Sequence, residues 1–220
     1  MTGTACGSGG QEFDNDSMTI PAAPTGLFLR QKITMIANKY WVHTLDASGK
    51  PGALVAFAEQ KKLKLREEVT FYADESKSDM LFGFKSRQIV DMAATTDVFD
   101  AQRRPIGMFR KSAVRSLLNS TWYVEGDGVA ATGSERSRRI ALVRRFGGML
   151  PFVGGLLEAI PWQFHFDFYD SSTQLVMSVE RQRAIRDQYR IVLPPTSLGP
   201  PLDWRLAAAV GVALDAFQGR

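Results

Sequence analysis

The chain has 220 residues and a mass of 24.4 kDa, with 45% hydrophobic and 23% charged residues and a mean hydropathy of -0.13. That balance excludes a mostly disordered chain, a collagen-like repeat and a polytopic membrane protein, and leaves enough chain for one sizeable core. A single cysteine, Cys6, and two histidines, His43 and His165, exclude a disulfide framework and any multi-cysteine or His-rich metal centre, so neither metal nor cofactor is expected.

Charge is unevenly distributed. Residues 1–29 carry Glu12, Asp14 and Asp16 and no basic residue, so all 27 Lys and Arg lie from Arg30 onward. With a pI of 9.3, that body is expected to be drawn to polyanions, although an ordinary basic surface would have the same composition. No basic n-region with a following apolar run opens the chain, so no secretory signal is read and a cytoplasmic location, peripheral to a membrane at most, is expected. Residues 1–26, rich in Gly, Ser, Thr and Pro, read as a flexible leader, and residues 27–220 as a single domain.

From Leu27 the chain reads as short alternating runs separated by turn residues, the signature of strands and hairpins. Trp41, His43 and Leu45 share a strand face ahead of a turn at Asp46–Gly52, and Leu54–Phe57 returns. Glu68–Ala73 and Met80–Phe84 flank a polar turn at Asp74–Ser78. Asp97–Phe99 and Ile106–Phe109 flank Asp100–Pro105, and Trp162–Tyr169 and Leu175–Val179 flank Asp170–Thr173. Gln188–Leu193 is a last strand. In four of these units an Asp (46, 74, 100, 170) closes an aromatic-rich strand, where a carboxylate fixes a turn by accepting backbone N–H groups; these aspartates are assigned to turn geometry, not catalysis. Hairpin follows hairpin without intervening helices, so the sheet is expected to be antiparallel and to close into a barrel that hides its edges.

Two segments differ. Residues 134–160 combine Arg136, Arg138, Arg139, Arg144 and Arg145 with a Gly-rich apolar run broken by Pro151, and read as a long connection with one or two helical turns. At the C-terminus Asp203 is a good N-cap for a helix over Trp204–Phe217, whose only charges are Arg205 and Asp215. A helix apolar all round is buried in protein or lipid. Fourteen residues span roughly 21 Å, short of a hydrocarbon core of roughly 30 Å, which favours burial inside the barrel.

These features, with particular residues, resemble the LURP-one-related family of the tubby C-terminal-like and phospholipid scramblase group. The resemblance is carried by Leu65–Ser76, Phe84–Ile89, Val98–Asp100, Pro105–Gly107, Leu117–Trp122 and the terminal Asp203–Ala207 and Leu214–Asp215. It implies a mainly β fold: a closed antiparallel barrel of about twelve strands around a buried hydrophobic C-terminal helix. It also implies an association with phospholipid, since tubby-like domains bind phosphoinositides through basic side chains and scramblase relatives act on membranes. No phosphoinositide motif can be placed residue by residue.

Catalytic signals are weak. Gly126-Asp127-Gly128-Val129-Ala130-Ala131 matches G-x-G-x-x-A, but no helix opens there and no acid follows at the required distance, so it reads as a hairpin turn. No nucleophile elbow or P-loop occurs. His165 and Asp167 lie two apart on a strand, a spacing that a half-exposed strand face explains. No enzyme is expected. The basic clusters are the better candidates for a lipid-headgroup site: Lys62, Lys64 and Arg66; Arg103, Arg104, Arg110 and Lys111; Arg144 and Arg145; and Arg181 and Arg183. Each would serve equally as the solvated face of a barrel strand. Nucleic acid is not expected, because the aromatics are committed to the interior and the one clear helix is apolar. Three functions stand open: a peripheral binder of anionic phospholipid or membrane-linked scaffold, a scramblase with its C-terminal helix in the bilayer, and a scaffold for a protein partner.

Overall fold

The computed structural model describes residues 24–46, 48–61, 68–87, 95–112, 121–126, 128–135, 165–182, 187–196 and 200–218. Twelve strands follow one another: β1 Gly26–Ile33, β2 Ala37–Leu45, β3 Pro51–Lys61, β4 Glu68–Tyr72, β5 Met80–Ser86, β6 Thr96–Asp100, β7 Pro105–Lys111, β8 Thr121–Gly126, β9 Val129–Glu135, β10 His165–Tyr169, β11 Leu175–Gln182 and β12 Gln188–Val192. Each pairs antiparallel with its chain neighbours, and β1 closes onto β12 from Gly26 opposite Val192 to Arg30 opposite Gln188. The result is an up-and-down barrel without a free edge, as the hairpin pattern predicts.

Inward positions alternate with outward ones. Leu27, Leu29 and Gln31 on β1, Tyr40 and Val42 on β2, and Phe166 and Phe168 on β10 face the interior and are buried. Asp167, expected on a half-exposed face, is buried as well. The interior is filled by α1, Trp204–Gln218. Every residue from Leu206 to Asp215 is buried, so the helix has no solvent-facing stripe. Its nearly all-apolar composition requires burial, and here the surrounding sheet supplies it.

Three glycines make room. A Cβ on Gly107 of β7 or on Gly126 of β8 would come 2.7 Å from Cδ2 of Leu206, so these neighbouring strands form a notch for the first turn of α1. On β9, the Phe168 ring of β10 lies across Gly133, 2.3 Å from where a Cβ would be.

The four aspartates hold one recurring turn. Asp46 accepts the N–H groups of Ser48 and Lys50, both at 2.8 Å; Asp100 those of Gln102 (2.9 Å) and Arg104 (2.8 Å); Asp170 those of Ser172 (2.8 Å) and Gln174 (2.9 Å); and Asp74 that of Ser76 (2.8 Å). The third residue after each Asp has a positive φ: Gly49 (75°), Lys77 (61°), Arg103 (63°) and Thr173 (63°). At Asp46, Asp100 and Asp170 this is the three-residue hairpin loop, a type I turn followed by a left-handed residue, closed by the Asp N–H donating to the carbonyl four residues on; the Asp74 turn starts the same way but is longer, closed by the Ala73 N–H on the Asp79 carbonyl. Hydrogen bonds from Ser48 and the Lys50 backbone hold the Asp46 carboxyl below its usual range, and those from Ser76 do the same for Asp74.

Candidate functional site

The helix and the turns give the barrel two distinct rims. The first turn of α1 lies toward the Asp-turn rim, where Trp204 packs edge-on against Phe82 at 5.5 Å. Asp203 caps it by accepting the Arg205 N–H at 2.8 Å. The last turn reaches the opposite rim, formed at β1 and β2 by the hairpin Ile33–Ala37. There Asp215 accepts hydrogen bonds from Tyr189 (2.5 Å), Tyr40 (2.9 Å) and the Gln31 side-chain amide. A carboxylate near the C-terminal end of a helix opposes the macrodipole, and this one is also buried, so three donors from β1, β2 and β12 are what make it tolerable. Burial pushes the Asp215 carboxyl above its usual range, and the two tyrosine hydrogen bonds work against that rise. Burial and the neighbouring Asp215 push both phenols upward as well.

The basic residues singled out from sequence fall into three groups. Lys62, Lys64, Arg66, Arg144, Arg145 and Arg183 lie outside the described residues, as does most of the 134–160 connection. Arg103, Arg104 and Arg181 are described and already engaged. Arg103 pairs with Glu68 at 3.2 Å and stacks over Phe99 at 4.3 Å, Arg104 pairs with Asp100 at 2.7 Å, and Arg181 pairs with Asp187. Partial burial pushes Glu68 upward, but Arg103 and Lys85 together outweigh it and leave the carboxyl below its usual range. Arg110 and Lys111 follow one another near the end of β7, and Arg110 is exposed, its guanidinium 4.2 Å from the Tyr123 ring.

Arg110, Tyr123, Thr132 and Tyr169 stand side by side across β7 to β10, in register, on the outer wall. They line a groove of about 410 Å³. Glu125 and Asp170 line it too, so Arg110 does not make it a concentrated anion site.

The stronger basic surface lies elsewhere, on β1 and β2. Arg30 and Lys32 are exposed on the outer face of β1, and Lys32 stands directly opposite Lys39 of β2. Like charges directly opposite on a sheet destabilise it. Lys39 is 3.9 Å from Glu59, which is held more closely by Lys77 at 2.8 Å. Sequence reasoning did not single out these three cations: the alternation Arg30-Gln31-Lys32 was visible, but only the hairpin at 33–37 brings Lys39 opposite Lys32.

A closed antiparallel barrel threaded by its own C-terminal helix, with basic side chains on its outer wall, defines the class: a barrel built around its own helix, whose surface is the part free to interact. The LURP-one-related family model matches residues 54–215, and the chain belongs to that family. No curated protein matches it in sequence.

Proposed function

We propose that this barrel is a non-enzymatic, peripheral binder of anionic phospholipid surfaces. The observation that carries the reading is the cation cluster Arg30, Lys32 and Lys39, set on two adjacent strands with Lys32 facing Lys39. Glu59, opposite Lys39 on β3 at 3.9 Å, offsets part of that repulsion but is shared with Lys77, and an anion placed over Arg30 and Lys32 relieves the rest. A Lys or Arg close to an anionic membrane contributes about 1 kcal/mol, so three acting together give a weak, salt-sensitive attachment suited to a surface protein.

The enclosed helix favours this reading over a scramblase with α1 in the bilayer. Withdrawing α1 would expose a core of Leu, Val and Phe side chains and break the three hydrogen bonds to Asp215. Among the described residues no helix is long and apolar enough to cross a membrane. The outer wall also carries Arg30, Lys32, Arg110, Glu125 and Thr132 as exposed side chains, where a membrane-spanning barrel has an apolar band.

Sedimentation with vesicles tests the proposal. The full chain is expected to pellet with phosphatidylserine-containing vesicles and not with pure phosphatidylcholine, and to be released as salt rises. Arg30→Glu with Lys32→Glu should weaken binding about tenfold or more. Equal pelleting of both proteins, or pelleting independent of salt, would refute it.

A further inference from the structure

The β1–β2 hairpin ends in an unusual loop. Thr34 and Ala37 close it: the Thr34 N–H donates to the Ala37 carbonyl at 2.9 Å, the Thr34 hydroxyl donates to the same carbonyl at 2.6 Å, and the Ala37 N–H donates to the Thr34 hydroxyl at 3.0 Å. The two residues between them are Met35 and Ile36. A two-residue hairpin loop ordinarily carries Asn, Asp or Gly, whose backbone freedom and polarity suit a solvated tip. Here the tip is apolar and exposed: Met35 at 97%, Ile36 at 72% and Ile33 at 59%. A lone exposed apolar side chain needs no explanation, but three at one rigid tip form a patch.

We infer that this tip is a membrane anchor: Ile33, Met35 and Ile36 enter the acyl boundary of an anionic bilayer while Lys32, Lys39 and Arg30 bind its phosphates. The inference rests on the lipid-binding reading and adds to it a point of contact and a depth. The arrangement is that of an interfacial element, with an apolar point leading and basic side chains placed one to three residues behind it along both strands. Those cations mark the occupant, because an apolar protein partner has no need of a collar of three positive charges, whereas an anionic bilayer presents acyl chains and phosphate at matching depths. The short hydrogen-bonded turn fixes the side chains outward before binding, so little ordering accompanies insertion. The orientation that results sets the barrel on end, the Asp215 rim toward the membrane and the Asp-turn rim away from it.

Two measurements test this. In a Cys6→Ser background, Met35→Cys carrying an environment-sensitive fluorophore should shift to the blue and be quenched by brominated acyl chains on phosphatidylserine vesicles. The same label at Ser172→Cys, on an exposed turn of the opposite rim, should not respond. Separately, Met35→Ser with Ile36→Ser should fold as the parent does, because both side chains are exposed, and bind vesicles at least about tenfold more weakly. If the parent pellets but the Met35 label stays in water, or the serine variant binds equally well, the anchor is overturned and electrostatic docking is left standing. If the parent pellets with no anionic vesicle, both fail.

Discussion

Val212 tests the enclosed helix. It lies mid-way along α1 with 0% exposure, as do Ala209 and Val210. Val212→Ala removes two methyl groups from a close-packed interior, and transfer plus residual cavity should cost about 2 kcal/mol. Val212→Asp puts a carboxyl within the buried apolar cluster, unlike position 215 with its three donors. The group would take up a proton to avoid an unpaired buried charge, and the penalty is still several kcal/mol. Against a total of about 5–15 kcal/mol for a domain, that leaves the variant unfolded or close to it. Urea denaturation followed by tryptophan fluorescence would give the Val212→Ala value and show whether Val212→Asp keeps any folding transition, Trp204 and Trp122 being in or near the core. The reasoning is refuted if Val212→Asp keeps parental stability and loses only its association with vesicles, since the helix would then be facing lipid.

Three further predictions follow from particular contacts. Gly126→Ala should cost about 1–3 kcal/mol by driving a methyl into Leu206, and Leu206→Ala in the same chain should recover part of it; full additivity in a double-mutant cycle would count against the notch. Because burial raises the Asp215 pKa in the folded state, its stabilising contribution is complete below the ordinary carboxylate value of about 3.9 and is lost as pH rises through the folded value. The stability of the parent relative to Asp215→Asn should therefore fall with rising pH; the carboxylates held low at Asp46, Asp74, Asp100 and Glu68 act in the opposite sense but cancel in the difference, and a flat or rising difference refutes the assignment. Thr173→Gly should raise stability by about 0.5–1 kcal/mol, because a β-branched residue at φ 63° is strained by more than glycine's added entropy; a lower urea midpoint would contradict it.

Much of the barrel is written locally. The four Asp turns are legible because a carboxylate, polar neighbours and a left-handed position lie within five residues of one another, and the nearly apolar helix with its Asp203 cap shows in its composition that it is buried and in its length that a bilayer is a poor fit. β9 is far less legible: Val129–Glu135 is VAATGSE, with small residues inward at Ala131 and Gly133 because the Phe168 ring takes that space. Nothing near Gly133 in sequence announces a ring contributed from β10, 35 residues later.

The surface divides in the same way. Charge runs can be counted from sequence, but their partners cannot. Arg104 finds Asp100 four residues back, whereas Arg103, just after β6, is taken by Glu68 of β4, and only the pairing of both strands with β5 brings them together. The β1–β2 tip escaped notice for the opposite reason. No Gly, Pro, Asn or Asp marks residues 33–36 as a turn, and only the hydrogen bonds between Thr34 and Ala37 show that Ile33, Met35 and Ile36 point into solvent.

Hydrogen–deuterium exchange of the full chain, with and without phosphatidylserine-containing vesicles, tests the central claim most directly, because it follows the enclosed helix and the basic hairpin at once. The account predicts that residues 30–39 become protected on binding while α1 keeps the same slow exchange. Faster exchange through Trp204–Gln218 on vesicles, or a hairpin whose exchange does not change while the protein is bound, would contradict it.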